Sequence, residues 1–339
     1  MGLQIDIGAI VANWKALAAK APAARTAAVV KADAYGLGAD RVAPALYQAG
    51  ARDFFVALAR EGRALRPHLP DDASINVLSG HMQGEDLTGL VPVLNSPEQF
   101  FRDRTLRRGQ PFAIQLDSGM NRLGMEPSEW GAIRAEALAA RPRFIMSHLA
   151  CADEPDHPAN PQQLSAFREM TRGCEGVALS LSATGGILLG PDYHFDLVRP
   201  GIGLYGGLPF AEAQQVVRLS LRVIQTRAVA AGEMVGYGAA FRADRACRIA
   251  TVDAGYADGI LRALTGSGAM LYAGQTGCPI VGRVSMDLIT ADVTALADVP
   301  DRLDLICPAQ PIDRLAGLAG TIGYEILTAL RQRYQRTWS

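Results

Sequence analysis

Between residues 25 and 205, short apolar runs alternate with stretches in which apolar positions return every three or four places. The runs AAVVKA, FFVAL, INVLSG, LVPVLN, FAIQLDSG, FIMSHLA, VALSLSA and FDLVRPG read as strands. DRVAPALYQAG, REGRALR, SPEQFFRDRTLRRG and PQQLSAFREMTR lie between several of them and read as helices. This alternation predicts parallel strands joined by crossover helices, and eight such units are the number of a closed (β/α)8 barrel.

From about residue 213 the texture changes. RLSLRVIQTRAVA, EMVGYGAAF, CRIATVDAGY, AMLYAG, CPIVGRVSMD and LITADV are strand-like pieces separated by Gly, Asp and Pro, which predicts a mainly β domain. The last stretch, YEILTALRQRYQRTW, reads as a terminal helix. The expected division is therefore a barrel over residues 1–212 and a β-rich domain over 213–339. No low-complexity linker or fixed-period repeat interrupts either part.

Composition supports a chain with a large core: 339 residues, 49% hydrophobic and 20% charged, long enough for two domains. A net charge of -1 gives no basic excess to draw nucleic acid or acidic membranes. No apolar run approaches the roughly 20 residues that span a bilayer. The start MGLQIDIGAI lacks the order of a signal peptide, and Asp6 stands where a myristoylation motif wants Ser or Thr, so a cytoplasmic protein is expected. Five cysteines, Cys151, Cys174, Cys247, Cys278 and Cys307, are widely spaced with no CxxC pair, and the five histidines add no ligand spacing. Reduced thiols and no metal site are the expectation.

Of 33 basic residues only Lys15, Lys20 and Lys31 are lysine. In RTAAVVKADAYGLGA, Lys31 ends an apolar strand and precedes a Gly-rich turn, the place where barrel enzymes put catalytic groups. A desolvated amine near other cations becomes a nucleophile toward an aldehyde, a role no arginine fills. The other reading of the position is a lysine snorkelling at a strand end.

KADAYGLG resembles the cofactor-lysine motif of alanine racemases, which join a (β/α)8 barrel to a C-terminal β domain. QLDSGMNRLG, SHLACADE, LVRPGIGLYGG, VGYGAAF, DAGYADG and VGRVSMD resemble further motifs of that family, in its order. The resemblance implies pyridoxal phosphate as cofactor, carried by Lys31, and racemisation of alanine. Lys31 and Tyr237, in VGYGAAF, would be the two bases on opposite faces of the substrate, since one group must remove the α-proton and another return it. His148 and Arg199 are the candidates for helping Tyr237 toward phenolate.

The same resemblance assigns Arg199 to the cofactor's ring nitrogen, where a guanidinium donates a proton bond and leaves that nitrogen unprotonated. Gly201 and Ile202 would hold the phosphate through backbone N–H groups, with Ser182 and Tyr35 adding hydroxyls. Arg122 would face the substrate carboxylate, while Tyr256, Met286 and Asp287 would shape the substrate entrance. In the family, Tyr237 and the 286–287 segment come from a partner subunit, which implies a homodimer.

Four positions depart from the pattern. Gln115 stands where many members carry a carbamylated lysine and brings no negative charge toward Arg122. Leu37 and Asp33 replace the frequent His and Asn of the lysine motif, and Gln332 replaces a phosphate-binding Tyr, with Tyr334 nearby. Serine or broader racemisation, and a non-catalytic barrel that only binds pyridoxal phosphate, are the competing readings. One methyl or hydroxyl changes pocket affinity only modestly, so residue types alone do not choose the substrate.

Overall fold

The computed structural model describes residues 1–339 and divides into two compact units. One comprises Ile10–Leu204 with Leu208–Ala213; the other comprises Met1–Ala9, Tyr205–Gly207 and Gln214–Ser339.

All eight apolar runs form strands of the first unit. Ala28–Val29, Asp53–Val56, Ser74–Val77, Val91–Leu94, Ala113–Gln115, Phe144–Met146 and Ala178–Ser180 lie side by side in chain order, every pair parallel. The eighth, Leu197–Val198, pairs with Arg25–Thr26, just before the first strand. It reaches back to the seventh through Asp196 N–H to Leu179 O at 3.0 Å and Arg199 N–H to Ser182 O at 2.8 Å, which closes the barrel. Strands two to six are buried at every position. That two-sided burial is why they read as continuous apolar runs rather than alternating ones.

The crossover helices carry their own start signals. Ser96 Oγ accepts the Gln99 N–H at 3.2 Å with Pro97 behind it, and Glu129 takes the Glu126 N–H at 3.0 Å. Phe100, Phe112, Ile114, Trp130, Ile145 and Phe167 belong to one buried apolar cluster between strands and helices.

In the second unit the long strand Val217–Val229 organises the sheet. A register shift between Val223 and Gln225 lets its first half pair with Arg302–Ile306 and its second half with Cys247–Val252. Ile289–Asp292, Thr276–Val281 and Met270–Ala273 complete the circuit between those two partners, giving a small closed antiparallel barrel. Two more strands extend the sheet. Gly2–Ile5 lies antiparallel to the long strand, and Gln335–Trp338 lies parallel to Gly2–Ile5.

These outer strands differ from the sequence expectation. Residues 2–5, counted there with the first domain, belong to this sheet, and the expected terminal helix runs only over Gly323–Ala329. Beyond it, Leu330 is extended (φ -60°, ψ 117°) and Arg331 N–H donates to Asp258 O at 3.3 Å, so tertiary bonds and the free edge of Gly2–Ile5 take over from the helix.

Candidate active site

Lys31 leaves the end of the first barrel strand, after Val30, and opens an unusual turn. Ala32, Asp33, Ala34 and Tyr35 all have φ between 52° and 57°, one turn of left-handed helix without a glycine in it. Each such residue costs about 1–2 kcal/mol. The turn is held by specific bonds: Ala32 N–H to Glu61 Oε1 at 3.0 Å, Ala34 N–H to Val30 O at 2.9 Å, and Gly38 N–H to Asp33 O at 3.0 Å. Asp33 also accepts the Ala39 N–H at 2.8 Å, which gives this departure from the motif a local structural role. Burial, then the charge of Arg122, lowers the Lys31 amine from its ordinary value, while Glu61 opposes both.

Arg199 is 3% exposed. Its guanidinium donates to Ser147 O at 2.7 Å, to Leu181 O at 3.2 Å and to Ser180 Oγ. Burial pushes it down to about 9, which leaves it charged at neutral pH. Half-buried His148 lies 3.5 Å from the same guanidinium through Nδ1, which must therefore be the acceptor. Gln163 holds its peptide through His148 O (3.0 Å) and Ala150 N–H (2.8 Å).

Burial and the cations Arg199, Arg122 and Lys31 depress His148 to about 3 from 6.5. The unfolded chain then binds a proton between those values that the folded chain refuses. This stability is present in full above pH 6.5 and is lost as pH falls toward 3. The ceiling is about 5 kcal/mol, and partial solvent access brings the expectation to roughly half of that. His148→Gln is expected to flatten the fall of Tm between pH 7 and pH 4; an unchanged slope in the variant would count against this assignment.

Gly201 follows Arg199 by two residues. A Cβ on it would come within 2.5 Å of the Tyr35 hydroxyl, so bare backbone keeps the two groups in one place. Its N–H donates to Thr184 Oγ1 at 3.0 Å, and Gly203 N–H donates to the same oxygen at 3.3 Å. Ser182 Oγ donates to Tyr193 O at 2.7 Å. Two of the expected phosphate donors thus have protein partners in this structure, and Thr184, which no sequence signal singled out, anchors the turn that carries them. Ile202 is buried at the start of the one-turn helix Ile202–Tyr205.

Arg122 is exposed on a loop whose shape is fixed from below. Asp117 Oδ1 accepts the N–H groups of Gly119 and Met120, both at 2.8 Å, and Gly124 packs against the Leu116 backbone with no room for a Cβ. Gln115 Nε2 donates to Leu123 O at 3.0 Å. The residue that replaces the carbamylated lysine therefore holds the backbone beside Arg122, not its guanidinium.

In the second unit Tyr237 is 73% exposed, on the one-turn helix Tyr237–Ala239 between the short strands Met234–Val235 and Phe241–Arg242. Tyr256, Met286 and Asp287 are brought together. Tyr256 N–H bonds Ser285 O at 3.0 Å and Ala257 N–H bonds Met286 O at 2.9 Å; a Cβ on Gly255 would strike Ser285 O at 2.2 Å. Arg333 ties both segments by pairing with Asp287 at 2.8 Å and with buried Asp258 at 3.1 Å. Arg283, three residues before Met286, packs its guanidinium on Gly238.

Tyr334 turns its hydroxyl inward, buried without a hydrogen-bond partner. An orphan hydroxyl costs about 1–3 kcal/mol. Tyr334→Phe is thus expected to raise Tm, by the equivalent of about 1 kcal/mol; a clear drop in Tm would show that the hydroxyl is paired.

A closed parallel barrel that ends its first strand in a desolvated lysine, with the buried cation Arg199 and Arg122 nearby, has the architecture of a (β/α)8-barrel enzyme. The alanine racemase N-terminal domain family matches residues 5–209, and the C-terminal domain family matches residues 216–338. The chain is 60% identical over 341 residues to the alanine racemase of Cereibacter sphaeroides, covering 99% of this chain and 97% of that one. It is 56% identical over 338 residues to the alanine racemase of a Jannaschia species, at 98% and 97% coverage. The alanine racemase of Bartonella henselae, whose crystal structure has covalently bound pyridoxal phosphate, superposes with a TM-score of 0.95 at 38% identity, covering 100% and 99% of the two chains. The biosynthetic alanine racemase of Pseudomonas aeruginosa gives 0.90 at 34% identity, over 100% and 99%. The chain belongs to the alanine racemase family and is a pyridoxal-phosphate-dependent racemase. The residues present fit that cofactor: an amine of lowered proton affinity, a buried cation, and an open glycine at the Tyr35 hydroxyl that a Cβ would fill.

Proposed function

We propose that Lys31 and Tyr237 are the two acid/base groups with which this chain interconverts L- and D-alanine, and that the working molecule is a cytoplasmic homodimer. In it each site takes Lys31 from one protomer and Tyr237, Met286 and Asp287 from its partner. The functional division of the chain falls near residue 213, with the cofactor-bearing barrel before it and the partner-facing β domain after it.

The observation that carries the reading is the Lys31 amine itself, desolvated at a barrel-strand end and facing Arg122, both of which favour its neutral, proton-accepting form. The exposure of Tyr237 adds support, because a catalytic tyrosine needs surroundings that an exposed turn lacks on its own protomer. Pyridoxal phosphate, when bound, supplies the electron sink that makes the substrate's Cα–H acidic. Arg199 would donate to its ring nitrogen, and Tyr35, Ser182, Gly201 and Ile202 would hold its phosphate. Neutral His148 packs against Arg199 and adds no charge there. Arg122 would grip the substrate carboxylate and leave Cα between Lys31 Nζ and the Oη of the partner's Tyr237, with its hydrogen toward one or the other according to the enantiomer. Tyr256 would narrow the entrance to small side chains.

The test is conversion of L-alanine and L-serine to their D forms by purified protein with added pyridoxal phosphate, scored by chiral chromatography. Fast alanine turnover with slow serine is expected. Lack of turnover with both, in protein that retains the cofactor, would overturn the reading in favour of a cofactor-binding barrel.

A further inference from the structure

Glu61 appears in no motif considered above, yet its carboxylate joins the ends of the first two barrel strands. Glu61 lies in the first turn of the helix Ala59–Leu65. Its Oε2 accepts the N–H groups of Ala57 (2.7 Å) and Leu58 (3.2 Å), the ordinary duty of an acid in the first turn of a helix. Its Oε1 does something that capping does not require. It reaches across to the neighbouring strand end and accepts the Ala32 N–H at 3.0 Å, the first peptide after Lys31 and the entry to the left-handed turn.

We propose that Glu61 is the positioning residue of Lys31: its carboxylate pins the peptide that opens the left-handed turn and sets a negative charge against the amine. The inference rests on the assignment of Lys31 as a catalytic base. Two consequences follow from the geometry. The turn has four residues in a costly conformation, and Ala32 N–H is the donor at its mouth, so loss of its acceptor frees the segment that aims Lys31 and Tyr35. The charged groups facing the amine are Arg122 and Glu61, with neutral His148 also within its field. Removal of Glu61 leaves Arg122 and burial unopposed and lowers the amine's proton affinity further.

Full-length protein with pyridoxal phosphate bound is the material for the test, in the variants Glu61→Gln and Glu61→Asp. The kcat profile reports ionisations of the substrate-loaded enzyme. In the direction in which Lys31 accepts the α-proton, its acid limb is expected to move to lower pH by about one unit in Glu61→Gln, a tenfold change in the amine's proton affinity. Amide hydrogen exchange, followed by mass spectrometry, is expected to quicken severalfold in the peptide covering residues 32–36 while the strand Val91–Leu94 keeps its protection. Glu61→Asp keeps the charge but withdraws it by one methylene. It is expected to speed exchange at 32–36 with a smaller shift of the limb, and it serves if Glu61→Gln does not fold. An unmoved acid limb together with unchanged exchange at 32–36, in either variant, overturns the proposal. Borohydride trapping of the bound cofactor separates the two levels. If the trapped lysine is Lys31 and both readouts are unmoved, only the role of Glu61 falls; if it is Lys15 or Lys20, the assignment of Lys31 falls with it.

Discussion

Lys31→Ala is expected to lower alanine racemisation at least about a thousandfold and to release the cofactor on dialysis. The proposed assignment gives this one amine two functions, the covalent hold on pyridoxal phosphate and one of the two proton transfers, each worth two or more orders of magnitude. Lys31→Arg sharpens the experiment. It preserves the positive charge and much of the length, yet guanidinium stays protonated at any working pH and neither condenses with an aldehyde nor accepts a proton. Activity is expected to be as low as in Lys31→Ala. Chiral chromatography of the product and the cofactor absorbance of the dialysed protein give both answers. Retention of a tenth of native activity by Lys31→Arg would move Lys31 from a chemical to an electrostatic role.

Tyr237→Phe is expected to keep the cofactor and to lose two to four orders of magnitude in racemisation. L- and D-alanine have equal free energy, so the equilibrium constant is one and kcat/KM must fall equally in both directions whatever residue is changed. The asymmetry lies elsewhere. In deuterated water, one enantiomer is expected to go on exchanging its α-hydrogen without inversion, because Lys31 still serves that face, while the other enantiomer stops. Equal loss of exchange from both enantiomers would sink the two-base assignment. Mixing this variant with Lys31→Ala tests the shared site. If each site draws on both protomers, every mixed dimer holds one intact site, and random exchange of subunits is expected to restore about a quarter of native activity. No recovery, with subunit exchange verified, would return Tyr237 to its own protomer.

The eight strands of the first unit were legible because parallel strands are buried on both faces and so betray themselves locally, as FFV and VPVL do. The outer strands of the second unit were not. Gly2–Ile5 and Gln335–Trp338 each owe their conformation to an edge far away in sequence, and nothing in QRTW distinguishes a strand from the last turn of a helix. At the site, Lys31 stood out through the scarcity of lysine and the KADAYGLG motif. The left-handed turn that follows it was invisible, because Ala and Tyr disfavour that conformation and one Asp does not signal a whole turn of it; the segment adopts it here through bonds made by Glu61, Val30 and Asp33. Thr184 was missed for a related reason: its hydroxyl matters through the two glycine amides it accepts, and those lie beyond the eighth strand.

The parallel pairing of Gly2–Ile5 with Gln335–Trp338 bears on how the chain is made. Domains fold broadly in the order in which they leave the ribosome. The strands and helices of the first unit are all available once residue 213 has emerged, and apart from the closure of Leu197–Val198 on Arg25–Thr26 their neighbours in the barrel are neighbours in sequence. Residues 2–5 have no such luck: one edge waits for residues 217–220 and the other for residues 335–338. During synthesis the segment LQI, apolar at two of its three positions, therefore has neither of its sheet partners until the second unit is made. Gly2–Ile5 precedes every other strand of the two units and is among the last to find its partners.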